Sequence, residues 1–293
     1  MQKVIFLLII TAVFSAGLLG QTPEPKRITV GEVELAYIEK GSGEPLILLH
    51  GGQADYRAWL PHMTRLAENY RVISYSRRYN YPNNNPIDPK DHSPYIDADD
   101  LAGLIDQLGL KRVHLVGTSI GSFISLAYAI RHPDNVASLT LAEPAIHAWV
   151  TDSPEYKDFM KRAWRPAAEA FRAGDDRTAL KLLNEVFTSP GSFDRMPKAA
   201  QDASMSNAKF FRAATLSKHH SPKLSKDRVR KLTMPILLVM GENTFAMSKV
   251  TLAEVQKVLP RAKTIVIPKT GHGAVREDAG GFTDALLAFL GST

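Results

Sequence analysis

One short segment near the middle of the chain constrains the fold more than any other. An apolar run from Val113 to Val116 leads into Gly117-Thr118-Ser119-Ile120-Gly121, and helix-forming residues follow from Phe123. A serine at such a strand–turn–helix junction is held in strained backbone geometry, with its hydroxyl exposed above a sheet. The flanking glycines are needed because the turn brings the strand and helix backbones together. The segment therefore predicts a buried strand and a candidate nucleophile, Ser119.

The composition is that of a globular protein that can bury a sizeable core. Of the 293 residues, 44% are hydrophobic and 23% are charged, which is typical of folded domains. The net charge of +6 is spread along the chain without the interleaved aromatic residues of a nucleic-acid site, so we predict no nucleic-acid partner. Because the chain has no cysteine, thiol nucleophiles, thiolate metal sites and disulfides are excluded.

The N-terminus has the pattern of an export signal. Lys3 precedes an almost wholly apolar stretch from Val4 to Phe14, and small residues lead to a polar boundary after Gly20. This order predicts a secretory signal peptide over residues 1–20. A membrane anchor is the alternative, but the apolar run is only marginally long enough to span a bilayer. We therefore expect an exported bacterial protein, periplasmic or secreted, with no stable membrane anchor after cleavage.

Strand and helix signals alternate through most of the chain. A predicted antiparallel hairpin over residues 27–39 comes first, and short apolar runs then recur with helical spacing between them. These runs cover residues 45–49, 71–75, 113–116, 136–142, 234–241 and 264–267. Continuous apolar runs are expected of strands buried on both faces of a parallel sheet. The alternation predicts an α/β fold with a mostly parallel, doubly wound sheet of about eight strands.

The alternation stops between about residues 145 and 230. No strand signal appears there, and helical spacing runs from Pro154 to Ala173, from Arg177 to Phe187 and from Lys198 to Leu216. A helical insertion after the sixth strand predicts a cap over the sheet edge. We therefore divide the chain into a signal peptide (1–20), a first core part (26–144), a cap (145–230) and a second core part (231–293).

Three motifs at the ends of predicted strands give the sequence a resemblance to the α/β-hydrolase fold family. They are His50-Gly51-Gly52 after the third strand, Gly117-Thr118-Ser119-Ile120-Gly121 after the fifth, and Gly271-His272-Gly273 after the last. The resemblance implies a serine nucleophile, a histidine base, an acid that orients the histidine, and an oxyanion hole. It implies no metal and no organic cofactor.

The motifs assign most of these roles to individual residues. A serine hydroxyl is a weak nucleophile until a base within hydrogen-bond reach removes its proton, and His272 is the candidate base for Ser119. The resemblance implies that the backbone N–H groups of Ile120 and Gly52 form the oxyanion hole, with Gln53 as the next candidate.

The acid departs from the commonest pattern of the family. Many members carry an aspartate three residues after the glycine that ends the seventh strand, and Thr244 stands at that place. Glu143 follows the sixth strand directly, and some members of the family place the acid there. A carboxylate at the end of an apolar strand also needs a partner to offset its burial. We therefore predict Glu143 as the acid, with Glu242 as the alternative.

The predicted reaction is hydrolysis of an ester or lactone of a small-molecule substrate through an acyl-enzyme. Arg78 and Tyr81, which follow the fourth strand, and Gln53 are candidate substrate-binding residues. Carbon–carbon bond hydrolysis, other cofactor-free chemistry and a non-catalytic ligand-binding protein on the same fold remain alternatives. Enzymes of this fold that use an aspartate nucleophile are disfavoured because the turn after the fifth strand carries Ser119.

Overall fold

Eight strands form one sheet in the computed structural model, which describes residues 24–87 and 92–292. The predicted signal peptide lies outside the described residues. In chain order the strands are β1 (Lys26–Val30), β2 (Val33–Lys40), β3 (Glu44–Leu49), β4 (Tyr70–Tyr75), β5 (Val113–Thr118), β6 (Val136–Ala142), β7 (Ile236–Gly241) and β8 (Lys263–Ile267). Their order across the sheet is β1-β2-β4-β3-β5-β6-β7-β8.

The sheet is mixed at one edge and parallel elsewhere. Strand β2 pairs antiparallel with both β1 and β4, whereas every pairing from β4 to β8 is parallel. The carboxyl ends of strands β3 to β8 therefore meet at one edge of the sheet, where the loops after them converge. The predicted α/β class, the eight strands and the mostly parallel arrangement are confirmed.

Helices cover both faces of the sheet. One face packs against α2 (Pro94–Gln107), α3 (Ile120–Ala129) and α11 (Ala246–Val258), and the other against α1 (Leu60–Leu66) and α13 (Ala279–Leu290). This double covering explains the continuous apolar runs, since residues 46–49 of β3 are wholly buried. Two shorter helices complete the core, α10 (Lys226–Arg230) and α12 (Ala274–Glu277).

The chain between β6 and β7 contains the predicted helical insertion. Its helices are α4 (Pro154–Phe159), α5 (Arg165–Arg172), α6 (Asp176–Phe187), α7 (Ser192–Arg195), α8 (Lys198–Met205) and α9 (Ala208–Leu216), with a π-helical segment, Met160–Trp164, between α4 and α5. These helices bury their own apolar cluster, which includes Phe171, Leu180 and Phe193. The insertion is therefore a cap with its own core, packed over the sheet edge.

One helix of the cap differs from its predicted extent. The spacing predicts a single helix over Lys198–Leu216, but the structure divides it into α8 and α9 at Asn207. The Asn207 side chain donates to Asp55 Oδ2 at 2.8 Å and accepts the Tyr81 N–H at 2.9 Å. Both partners belong to the core, so contacts between cap and core accompany the break in the helix.

Candidate active site

Ser119 sits at a sharp turn between β5 and α3. Its backbone adopts φ 54° and ψ −118°, a conformation that costs a side-chain-bearing residue about 1–3 kcal/mol. The turn is tight because a Cβ built on Gly117 would lie 2.3 Å from the Gly121 carbonyl oxygen. The Ser122 hydroxyl donates to the carbonyls of Gly117 and Ala142, at 2.7 and 2.9 Å. This local framework holds the Ser119 hydroxyl at the carboxyl edge of the sheet.

The structure brings Ser119, His272 and Glu143 into one hydrogen-bonded line. His272 Nε2 lies 3.3 Å from Ser119 Oγ, and His272 Nδ1 lies 3.1 Å from Glu143 Oε2. An ionised carboxylate can only accept, so the proton facing Glu143 belongs on Nδ1. Nε2 is then free to accept the proton of the Ser119 hydroxyl. The arrangement has the geometry of a nucleophile, a base and an orienting acid.

Glu143 is held as a buried anion at the end of β6. Its Oε1 accepts the Gly241 N–H, and its Oε2 accepts the Thr244 hydroxyl, each at 2.7 Å. Burial alone would raise the pKa of Glu143, but the hydrogen bonds from His272, Gly241 and Thr244 outweigh it and lower the pKa. The carboxylate therefore stays ionised beside the imidazole despite being 1% exposed.

Thr244 supplies one of these hydrogen bonds, and we expect Thr244→Val to destabilise the fold by about 1.5–3 kcal/mol at pH 7. Because the hydroxyl helps to depress the folded-state pKa of Glu143, its contribution is present above the ordinary carboxyl pKa of about 4.3. It is lost as the pH falls through the lower folded-state pKa. Urea unfolding of both proteins at pH 7 and over a descending pH series measures the change. A difference that stays constant down to the acid unfolding of the wild type would contradict the assignment.

Among the described residues, Glu242, the alternative acid, makes no hydrogen bond or ion pair with the histidine. Its side chain is exposed, and Oε2 accepts the Lys269 backbone N–H at 2.8 Å. The geometry therefore favours Glu143 over Glu242 as the partner of His272.

Three side chains that sequence reasoning missed fix the His272 ring. The ring stacks on Phe187, with centroids 5.1 Å apart, and meets the Phe245 ring at an angle of 84° and a centroid distance of 5.0 Å. Ser248 Oγ lies 3.3 Å from Nδ1. Ser248 belongs to the first turn of α11. Because the first turn of a helix after a parallel strand faces the carboxyl edge of the sheet, the sequence could have indicated Ser248 as a site residue. Phe187 ends a cap helix, and no local pattern indicated its position.

A buried network fixes the loop after β3. His50 Nδ1 donates to the Gly51 carbonyl at 2.8 Å, because His50 Nε2 accepts the Arg77 backbone N–H at 3.1 Å. The Arg77 guanidinium donates to the same carbonyl at 3.1 Å. Burial, and the charge of Arg77, lower the pKa of His50 to about 3, so this imidazole is neutral. The two donors hold the peptide that precedes Gly52.

The two predicted oxyanion donors flank Ser119. Ile120 is the first residue of α3, so its N–H has no partner within the helix. Gly52 follows the fixed Gly51 peptide and lies against the cap, where a Cβ built on it would be 2.4 Å from Phe211 Cζ. Both residues line the space around the Ser119 hydroxyl.

We expect Gly52→Ala to lower kcat/KM by about 100-fold, the typical effect of losing one oxyanion donor. The new methyl group would push the loop or the Phe211 ring out of place. Combining Gly52→Ala with Phe211→Ala removes the two shortest contacts, leaving Phe210 Cε1 at 3.1 Å, and should restore at least part of the loss. Steady-state kinetics of the two single variants and the double variant measure this. Full activity of Gly52→Ala, or no recovery in the double variant, would contradict the steric explanation.

Of the three predicted substrate-binding residues, one lies beside Ser119 and two do not. Arg78 forms a bidentate ion pair with Asp100, at 2.7 and 2.6 Å. The guanidinium carbon of Arg57 lies 4.1 Å from the centroid of the Tyr81 ring. Neither Arg78 nor Tyr81 lines the two cavities beside Ser119. Gln53 lines one of them, but its amide is hydrogen-bonded to cap helices α6 and α8. Arg78 and Tyr81 are thus engaged with Asp100 and Arg57, and their assignment to substrate binding stays a prediction.

Two cavities meet at Ser119 and His272. The first, here called the inner cavity, is narrow, about 50 Å³, and lies between the core and the cap helices. The second, the outer cleft, is about 330 Å³ and runs between the loop after β3 and helices α6 and α8. Gly52, Phe187 and Phe211 also line both. A bound substrate can therefore extend from the nucleophile in two directions.

Comparison with known proteins identifies the family. Residues 44–279 match the sequence pattern of the α/β hydrolase fold. The chain belongs to the α/β-hydrolase fold family. Within the described residues, no group of three or more His, Asp or Glu side chains is arranged to hold a metal ion, and no helix is long and apolar enough to cross a membrane.

Individual members of the family resemble the chain over most of its length. A curated relative, 2-(acetamidomethylene)succinate hydrolase of Mesorhizobium japonicum, is 27% identical over 261 residues, which cover 84% of this chain and 88% of that protein. A thermophilic esterase from Thermogutta terrifontis superposes with a TM-score of 0.75 at 25% identity, covering 92% of this chain and 99% of that one. The enol-lactonase of Burkholderia xenovorans superposes equally well, at 0.75 and 18% identity, covering 90% and 99%. The chain is thus a hydrolase of the α/β fold.

Proposed function

We propose that this hydrolase cleaves carboxylic esters or lactones through an acyl-enzyme formed on Ser119. The observation that carries the proposal is the continuous line from Ser119 Oγ through His272 to Glu143, with distances of 3.3 and 3.1 Å. This line opens onto a mainly apolar cavity, as suits a substrate with an apolar part. The resemblance to the Thermogutta terrifontis esterase supports the same bond type.

Acylation begins when Ser119 Oγ attacks the ester carbonyl while His272 Nε2 takes the hydroxyl proton. Glu143 holds the imidazole in the required tautomer and stabilises the imidazolium that forms. The N–H groups of Ile120 and Gly52 donate to the oxyanion, each contributing about 2.7–4 kcal/mol to transition-state stabilisation. The intermediate then collapses, and His272 returns the proton to the departing alkoxide, which leaves as the alcohol.

Deacylation repeats these steps with water. His272 takes a proton from the water as its oxygen attacks the acyl carbon, and the Ser119 oxygen leaves with the proton that His272 returns. The products are the carboxylic acid and free enzyme. With a lactone, the alcohol and the acid remain parts of one molecule.

The alternatives receive less support from the same residues. One curated relative, from Pseudomonas putida, is named 2-hydroxy-6-oxononadienedioate/2-hydroxy-6-oxononatrienedioate hydrolase 2, and a dioate substrate carries two carboxylates. None of the described residues that line the inner cavity is Lys or Arg. A non-catalytic ligand-binding protein would have no need of the hydrogen-bonded triad. Ester hydrolysis uses every member of the site.

The direct test exposes the purified chain to nitrophenyl acetate and nitrophenyl butanoate, and to a fluorophosphonate that labels activated serines. We expect hydrolysis of the esters and a single covalent adduct on Ser119, located by peptide mass spectrometry. If the folded protein neither hydrolyses the esters nor becomes labelled, the proposal fails.

We also propose that residues 1–20 direct export of the chain and are then removed. The support is the sequence order of Lys3, an apolar stretch and small residues before a polar boundary. Expression of the full chain in a bacterial host should yield a periplasmic or secreted product. Its N-terminal residue, determined by mass spectrometry, should follow Gly17 or Gly20, and an intact N-terminus would contradict export.

A further inference from the structure

The two cavities at Ser119 differ in the chemistry of their walls. The inner cavity is narrow and mainly apolar, and its lining includes the six Phe and Trp rings of Phe123, Trp164, Phe187, Phe210, Phe211 and Phe245. The outer cleft is wider and carries polar side chains, among them Gln53, Arg57, Asn184, Ser204, Asn207 and Arg276. The acyl group and the alcohol of one substrate would therefore meet different surroundings.

The order of the chemical steps decides which half belongs in which cavity. The acyl group stays attached to Ser119 between the two steps, whereas the alcohol of an ester must leave, and water must enter, before deacylation. A narrow apolar cavity holds a retained apolar group well. A wider cleft that carries polar side chains provides the path for a departing alcohol and an arriving water molecule.

Part of the wall of the inner cavity is formed by a pair of aromatic side chains packed at a tilt of 38°. Trp164 and His220 have ring centroids 5.8 Å apart, and both line the inner cavity. Both also line a groove of about 690 Å³ on the surface of the cap, beside Tyr156 and Arg165. This pair therefore separates the inner cavity from a larger space. Trp164 ends the π-helical segment, a wide turn that occurs often at functional sites.

We propose that the inner cavity is the acyl subsite, that it accepts short, neutral, apolar acyl groups, and that Trp164 and His220 limit their length. The proposal rests on the ester-hydrolase function proposed above. It makes Trp164 a specificity-determining residue. Removing its indole would open the inner cavity into the groove on the cap.

The charge of the walls supports the restriction to neutral groups. A carboxylate on the acyl chain would lose its hydration in the inner cavity without gaining a cationic partner, and it would approach the ionised Glu143. Burial, and repulsion by His272 and His220, lower the pKa of His147, a further lining residue, to about 4. His147 is therefore a neutral hydrogen-bonding group and supplies no positive charge.

The length limit is tested with nitrophenyl esters of acetate, butanoate, octanoate and dodecanoate. For the wild type, kcat/KM should fall from butanoate to dodecanoate, and Trp164→Ala should raise the dodecanoate-to-butanoate ratio by about 10-fold or more. Met196→Ala, which enlarges the outer cleft, is the matched control and should leave that ratio unchanged. His220→Ala opens the same wall, and it is the second test variant if Trp164→Ala does not fold. An unchanged ratio in both wall variants, or a larger change in Met196→Ala, would overturn the assignment.

The charge restriction is tested with two substrates of similar length, nitrophenyl pentanoate and the nitrophenyl monoester of succinic acid. Because the leaving group is the same, only the acyl end differs. We expect kcat/KM for the succinyl ester to be lower than that for the pentanoyl ester by about 100-fold or more. Comparable values would overturn the restriction. Fluorophosphonate labelling of Ser119 separates the two proposals. A labelled enzyme with the opposite preferences refutes the subsite assignment alone, and an unlabelled, inactive protein refutes the ester-hydrolase function.

Discussion

Ser119→Ala is expected to lower kcat by about 10⁶-fold, the loss seen when the serine of such a triad is removed. Without its hydroxyl no acyl-enzyme can form, and His272 has no proton to take from the nucleophile. The residual rate would come from the oxyanion donors and from substrate binding. Stopped assays with nitrophenyl butanoate measure kcat. The fluorophosphonate should no longer label the variant at position 119.

The backbone at this position supplies a control for folding. At φ 54° and ψ −118° a glycine is less strained than a serine. Ser119→Gly should therefore be as inactive as Ser119→Ala but more stable than the wild type, by about 1 kcal/mol or more. Urea unfolding measures this difference. An active Ser119→Ala would remove Ser119 from the mechanism, whatever the stability of the variants.

Glu143→Gln is expected to lower kcat by about 10⁴-fold, because an amide no longer fixes the tautomer of His272. The glutamine would have to present its oxygen to Nδ1, the Thr244 hydroxyl and the Gly241 N–H, while its own amide protons lack acceptors in a buried site. The negative charge that stabilises the imidazolium is also lost. The variant is therefore inactive for electrostatic reasons, although its shape is nearly unchanged.

Glu242→Gln is the matched control for this substitution. It changes the same chemical group one residue after β7, where the carboxylate accepts the Lys269 N–H and, within the part of the chain that the structure describes, makes no hydrogen bond to His272. We expect its kcat to stay within about twofold of the wild type, as for most surface substitutions. If Glu242→Gln were the inactive variant and Glu143→Gln the active one, the acid would have to be reassigned.

The fold could be predicted from the sequence because its signals are local. Apolar runs such as residues 46–49 and 113–116 predict buried parallel strands, and the two glycines around Ser119 predict the tight turn that they form. Chain order then places the loops after β5, β6 and β8 at one edge. The proximity of Ser119, Glu143 and His272 follows from that topology.

The details that sequence reasoning missed depend on contacts between distant segments. The break in the predicted helix over residues 198–216 accompanies the contacts of Asn207 with Asp55 and Tyr81. Arg78 was predicted to bind substrate, but Asp100, 22 residues further along the chain, pairs with it. Phe187 reaches His272 from the cap. Periodicity and local motifs carry no information about such pairings, because they report only which residues are near in sequence.

The hydrogen bond between Thr244 and Glu143 has a consequence for how such sites diverge. Side chains from two different strand ends reach the same point, since Thr244 Oγ1 lies 2.7 Å from Glu143 Oε2. A lineage can therefore exchange the origin of its acid through single substitutions, with His272 and Ser119 left in place. Thr244→Asp would create an intermediate with two carboxylates, which share one proton because like charges at this distance disfavour double ionisation. Loss of Glu143 would then complete the transfer of the acid from the end of β6 to the loop after β7.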